Sequence, residues 1–556
     1  MDLAVGFVIA VIMLRAFVLE GYLISTGSMA PGLLGFHRLI ACPSCQTEFA
    51  FGVAFDESAD GAPGRIQEPE GPRRYATCPN CGQTNIMVTG VPNSHGDQLL
   101  VQKHVYDLRP PRRWETIVFR NPESPDEAYV KRVGGLPGER IQIINGDVFI
   151  NQQIARKSYP EQRDLRIPVC DLRHLASADD WQMPWEPDDD WTTEQGVLTV
   201  RSSESNSDAI HWLKFRNWRW TGGHHVSETP LAASDGAADW QRFRDRFDAL
   251  PITWVSRVRF DADRGVLQCD GVMPEDLQSD LLKSSESEVF RTAVNRLAAL
   301  SHLAPVTDRY GYNALVSSTE SFVSDLMLDA VISWTTVPES VLVQVPVEHH
   351  VFGVTVHPGK QQVTLLDVSD GRVLQTATIE HSSQNMRLEV SNIDHQLIVA
   401  IDGTQVMPPY PVELENSVLA ADQSLTEGTG QPSDPAKVAR LTMLLEQQKR
   451  WALGIKGGHV RVTELSMYRD VHYTPGRRRN AVESDYSIPD DCYFVLGDNS
   501  PVSSDSRNWP QPCVPHHLLI GKPFLVHLPS RPGMLDFAGR QWPLRIPDWR
   551  RIHYIR

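Results

Sequence analysis

The chain has 556 residues, 41% hydrophobic and 22% charged, with a formal net charge of -16. That is length for about three to five units with a sizeable core, and the acidic balance argues against a nucleic-acid surface as the main business. Eight cysteines are too few for a disulfide scaffold in so long a chain.

Residues 1–24 open with LAVGFVIAVIML, Leu3 to Leu14, and continue after Arg15 as AFVLEGYLI. A span needs roughly 20 apolar residues. This one crosses a bilayer only if Arg15 and Glu20 reach an interface or a protein surface. No positive charge precedes the apolar run, and no small-residue cleavage site follows it. An uncleaved transmembrane helix is therefore expected rather than a signal peptide.

Residues 25–40 begin with a dense turn, Ser25-Thr26-Gly27-Ser28-Met29-Ala30-Pro31-Gly32. Residues 41–90 carry two CPxC knuckles, Cys42-Pro-Ser-Cys45 and Cys78-Pro-Asn-Cys81, around a polar middle. Such knuckles converge four thiolates on one tetrahedral Zn²⁺, as in a zinc ribbon. Four thiolates leave no open position, so a structural zinc is expected. Two disulfides or free thiols are the competing reading in an exported protein.

Residues 91–155 read as short strands, LLVQKHVY, TIVFR and AYVKRV. A hairpin, IQIINGDVFIN, follows with Asn-Gly at its turn. Residues 156–320 are rich in Trp, Asp and Ser without a clear period; Trp181, Trp185, Trp191 and Trp212 are expected in a core. Residues 321–480 alternate regularly, as in VFGVTVHP and MRLEVSNIDHQLIVAIDG, and predict a β-sandwich. A polar loop and a helix over PAKVARLTMLLEQQKRWAL interrupt it. Residues 481–556 return to compact strands, so the chain as a whole is predicted to be mainly β.

Ser28 lies in a turn that can present a hydroxyl just after an apolar segment. A serine hydroxyl needs a base, and lysine serves in the Ser-Lys variant of the serine proteases. Deprotonating an exposed lysine at neutral pH costs about 4 kcal/mol, and apolar burial lowers that cost. Lys131, in Ala-Tyr-Val-Lys-Arg-Val-Gly-Gly-Leu-Pro-Gly, has apolar neighbours of that kind. Taken alone, a Ser and a Lys about a hundred residues apart in sequence carry no meaning.

Four segments in order give them meaning: STGSMAPGL, GDQLLVQKHVY, YVKRVGGLPGE and GDNSPVSSDSRNWP. Together with the apolar N-terminus they resemble the boxes of the type I signal peptidase family. The resemblance implies a β-rich catalytic core with Ser28 as nucleophile and Lys131 as general base. It implies an oxyanion site made by the Ser28 N–H and the Thr26 hydroxyl, and Ser503 orienting the lysine. Asp505 and Arg507 would form a nearby ion pair, with Gly497, Asp498 and Asn499 shaping a turn. Thr26 stands where serine is frequent, Gly32 replaces a threonine, and Ser500-Pro501-Val502 replaces a more polar run.

The family implies removal of signal peptides after small residues, with no cofactor for catalysis. It also implies a single-pass protein of the cytoplasmic membrane, its catalytic domain on the outer or periplasmic face, in contact with lipid. The stretch 321–470 resembles a concanavalin or laminin-G sandwich, for which a protein or glycan ligand is expected. Two other readings stand beside this one: a self-cleaving LexA-like Ser-Lys protease, and a non-enzymatic surface or glycan-binding protein on a decayed protease core.

Overall fold

The computed structural model describes residues 19–56, 65–177, 181–201, 209–219, 226–231, 257–261, 263–314, 321–347, 350–381, 383–412, 450–537 and 540–555. As the alternating patterns predict, it is mainly β.

The central sheet gathers strands from widely separated parts of the chain. Its order is Leu19–Leu23, Gln98–Gln102, Leu519–Val526, Thr116–Arg120, Ala128–Gly135, Cys492–Leu496 and Val514–Pro515. Its pairings are antiparallel. Leu19–Leu23, the last part of the segment expected as an anchor over residues 1–24, is a strand. It pairs with Gln98–Gln102, and Glu20 meets Lys103 of the protein surface at 3.0 Å. The rest of that segment, 1–18, lies outside the described residues. Among the described residues, no helix is long and apolar enough to cross a membrane.

The hairpin Arg140–Ile144/Asp147–Ile150 turns on Asn145 and Gly146, at φ 52° and 92°. Two successive positive φ values are what a two-residue turn demands, and Asn-Gly supplies them at little cost.

Between Lys157 and Asp470 the chain leaves this core and builds two large sheets. One contains Leu326–Thr336, Asn385–Ile393, Gln396–Ile401 and His459–Arg469; the other contains Ser340–Val347, His350–His357, Gln362–Asp367 and Ala452–Lys456. Ser340–Val347 alternates buried and half-buried residues, and its valines share one apolar core with Leu328, Ala330 and Ile332 of the first sheet. The sheets also draw strands from 156–320: Ile167–Asp171, Trp185–Pro187, Trp191–Glu194, Val197–Arg201 and Ile210–Phe215. Trp185 and Trp191 lie in the sandwich core, while Trp181 packs on the cysteine knuckles. Trp212 is half-buried.

The predicted helix after residue 434 lies outside the described residues up to 449. Its last two residues, Ala452 and Leu453, are strand, and Trp451 is buried in the sandwich core. A smaller unit pairs the strands 226–230, 258–261 and 266–270 with helices Glu275–Ser284 and Glu288–Ser301 around its own core.

Candidate active site

The turn holding Ser28 is fixed on both sides. Met29 and Leu33 are buried with Leu99, Val101, Val118 and Val526 of the central sheet. Asp97 receives the Leu34 N–H at 2.8 Å on its carboxylate, and the same carboxylate binds Arg551 at 2.8 Å. Gly35 permits a close approach, because a methyl there would lie 2.3 Å from the Thr26 carbonyl carbon. The Ser28 side chain is left half-buried at the surface of the turn.

Lys131 enters from the strand Ala128–Gly135, opposite Ile117 on one side. Its neighbour Arg132 is opposite Leu496 on the other. With paired strands on both edges the lysine is 3% exposed. Its Nζ donates to Ser28 Oγ at 2.7 Å and to the Val130 carbonyl at 3.1 Å. Burial lowers its pKa to about 8, against the pull of Asp505 and Asp498 and with help from Arg507.

The remaining expected residues surround this pair. The Thr26 hydroxyl, exposed, is 3.5 Å from Ser28 Oγ. Ser503 is buried against Gly497, where a methyl would meet its Oγ at 2.1 Å. That hydroxyl is not within hydrogen-bonding distance of Lys131: the Lys131 contacts are Ser28 and Val130. Asp505 and Arg507 are fully buried and joined at 2.6 Å. Asp505 also accepts the Gly497 N–H at 2.9 Å, and Arg507 with these bonds holds its carboxyl below the usual range in spite of burial.

Two contacts were not singled out in the sequence. Arg132 grips the Asp498 carboxylate with two bonds, 2.8 and 2.7 Å, both residues buried. Asn499 reaches the nucleophile turn: its N–H donates to the Ser28 carbonyl at 3.0 Å and its side chain to the Gly27 carbonyl at 2.9 Å. The only sequence signal for the first was an Arg beside the Lys and an Asp in the last box. Nothing marked them as partners 366 residues apart.

The four knuckle cysteines converge at a separate point. They are 0–2% exposed, and their sulfur atoms lie within 4.8 Å of one another. Cys42 and Cys81 sulfurs are 3.7 Å apart, Cys45 and Cys78 sulfurs 3.6 Å. This spacing is compatible with a structural metal site and far longer than a disulfide bond of about 2.05 Å.

Residues 87–203 and 407–528 match the family described as signal peptidase, peptidase S26. A signal peptidase I from Leptolyngbya laminosa is 44% identical over 70 residues, 11% of this chain and 34% of that protein. One from Bacillus caldolyticus is 42% identical over 64 residues, 12% of this chain and 34% of that protein. The chain thus spans about a third of the length of these relatives. Among solved structures, a carbohydrate binding module from Bacillus subtilis aligns with 27% of this chain and 78% of its own, at 10% identity and a TM-score of 0.18. That likeness is too slight to carry an argument.

Proposed function

We propose that the chain, which matches the signal peptidase family, peptidase S26, over residues 87–203 and 407–528, is a membrane-bound serine endopeptidase of that family. Its substrates are the signal peptides of exported preproteins, cut after small residues through a Ser28-Lys131 dyad. The observation that carries this reading is the 2.7 Å contact between Ser28 Oγ and a buried Lys131 Nζ.

With its pKa near 8, roughly one Lys131 in ten is neutral at pH 7, against roughly one in 2,500 for an ordinary lysine. The neutral amine takes the Ser28 proton as Oγ attacks the scissile carbonyl carbon. The carbonyl oxygen becomes an oxyanion, which the Ser28 N–H and the Thr26 hydroxyl stabilise. Lys131 then gives its proton to the leaving amine, and the C–N bond breaks to leave an ester on Ser28. A water molecule, losing its proton to Lys131, hydrolyses that ester and restores Ser28. The Asp505–Arg507 pair fixes Gly497, and Gly497 packs on Ser503. Catalysis needs no cofactor.

Cys42, Cys45, Cys78 and Cys81 hold a structural Zn²⁺ on this reading. Tetrahedral coordination at Zn–S ≈ 2.3 Å places ligand sulfurs about 3.8 Å apart, which suits the observed 3.6 and 3.7 Å. The ion would cross-link the two knuckles and take no part in the chemistry.

A location at the outer or periplasmic face of the cytoplasmic membrane accords with the exposed Trp542, Trp549 and Tyr554, since such rings favour the headgroup region. The single-pass anchor expected of the N-terminal apolar segment belongs to the same reading. The sandwich insert would take a protein or glycan ligand. A decayed core is disfavoured by the intact dyad contact.

Cleavage of a preprotein by membranes carrying the protein tests the reading. Ser28→Ala is expected to abolish product while the folded protein accumulates normally. Wild-type cleavage by Ser28→Ala would overturn the dyad.

A further inference from the structure

The long insertion sends one short segment back into the catalytic core. We propose that Tyr310–Asn313 is a positioning clamp that sets Ser28 and Lys131 relative to one another, so the insertion is part of the working protease. The inference rests on the dyad reading above.

Tyr312 packs directly on the nucleophile turn. A methyl at Gly27 would lie 2.1 Å from its ring, and one at Gly52 would lie 2.3 Å from it. The ring therefore occupies the space that these two glycines leave open. Its hydroxyl donates to the Phe36 carbonyl at 3.0 Å, and its carbonyl accepts the Gly52 N–H at 2.8 Å. Ala30 and Leu34 complete the contact.

Asn313 acts one step further along. It exchanges two amide hydrogen bonds with Asn499, both 2.8 Å. Asn499 is fully buried and binds the carbonyls of Gly27 and Ser28. The reciprocal pair fixes the Asn499 rotamer, and with it the direction of the donor that holds the turn. A single apolar replacement at 313 would leave Asn499 with a buried donor and acceptor unmatched.

Tyr310 reaches the other member of the dyad. Its hydroxyl donates to the Asp498 carbonyl at 2.5 Å, and Asp498 grips Arg132, the residue next to Lys131. Arg469 of the sandwich lies over the Tyr310 ring at 4.6 Å. Gly311 closes on the second cysteine knuckle, where a methyl would lie 2.9 Å from Pro79. Four consecutive residues thus join the serine turn, the lysine strand, the knuckles and the sandwich.

Misplacing reacting groups by about 1 Å can cost on the order of 100-fold in rate. A clamp that sets the reacting groups acts on kcat. Simple loss of packing lowers the amount of folded enzyme and leaves kcat per active site alone.

The experiment measures kcat per titrated active site, KM and melting temperature on the full chain with a preprotein substrate. Asn313→Ala is expected to lower kcat by about 10-fold or more, with KM changed less than about twofold. Tyr312→Phe, which keeps the ring and removes one hydroxyl, is expected to lower kcat by about threefold to tenfold. It serves as the measure if Asn313→Ala does not fold. Asn313→Gln, longer by one methylene but keeping both amide partners, should recover part of the loss. The proposal fails if the variants keep wild-type kcat while Ser28→Ala is inactive. If the wild type itself does not cut the preprotein, the protease reading fails instead.

Discussion

Among the described residues, two lysines are buried to the same depth, 2–3% exposed, and their charges meet opposite surroundings. Lys157 donates to Asp394 at 2.7 Å and to Asp470 at 2.8 Å. Its Nζ also lies 4.5 Å from the centre of the Trp114 ring. These carboxylates push its pKa well above that of a free lysine. Lys131 meets a hydroxyl and a backbone carbonyl, and its pKa falls to about 8. Carboxylates stand near Lys131 too, but Asp498 is bound to Arg132 and Asp505 to Arg507. The guanidinium groups hold those carboxylates away from direct contact with the amine. Burial alone therefore does not lower a lysine's pKa; burial with the neighbouring carboxylates already paired does.

The largest expected effect breaks Lys131 as a base while keeping its charge. Arginine is always protonated, so Lys131→Arg cannot accept the Ser28 proton. Cleavage should fall by on the order of 100- to 10,000-fold, read as initial rate with a preprotein at pH 8. Retention of a tenth of the wild-type rate would mean that another group takes the proton.

The second effect concerns Lys157. Removing one partner of a buried ion pair costs about 3–5 kcal/mol, because the other charge stays buried and alone. Lys157→Met leaves Asp394 and Asp470 facing each other. It also leaves them beside Asp325, whose carboxyl is already driven well above the usual range by burial and by Asp147, Asp394 and Asp470. Denaturant unfolding should show that loss. The cleavage rate of the protein that remains folded should stay within about twofold, since the proposed general base is the other lysine.

The two lysines were unequally visible in the sequence. Lys131 could be selected because its neighbours form a motif, and motif order gave it a role. Lys157, in an unpatterned stretch, offered nothing: its partners lie 237 and 313 residues away. The same contrast runs through the fold. Hairpins with Asn-Gly and Asp-Gly turns were legible because the turn chemistry is local; Asp402 and Gly403 both have positive φ between paired Ile401 and Thr404. The strands that residues 167–215 add to the sandwich were not, because their partners are distant and Trp, Asp and Ser mask the alternation. Leu19–Leu23 was missed for another reason. Apolar residues continuous with a hydrophobic run look like its end, and only pairing with Gln98–Gln102 makes them a strand. The support given by Tyr310, Tyr312 and Asn313 depends on an insertion folding back, which no local pattern announces.

The smallest effect carries the comparison into stability. A folded-state pKa near 8 against about 10.4 in the unfolded chain means that Lys131 destabilises the fold by about 3 kcal/mol while both states are protonated. Lys131→Met removes that cost, so at pH 7 the variant should be more stable than the wild type by up to about 3 kcal/mol, the opposite sign from Lys157→Met. Between pH 8 and about 10.4 the unfolded wild type binds a proton that the folded wild type does not. Wild-type stability therefore rises through this window relative to the variant, and the gap should close by its upper end. Every other titrating group is common to both proteins and drops out of the difference. Unfolding in denaturant at pH 7, 8, 9 and 10 reads it directly. A gap that stayed constant across those four values would mean that folding does not lower the Lys131 pKa, and the contrast with Lys157 would lose its physical basis.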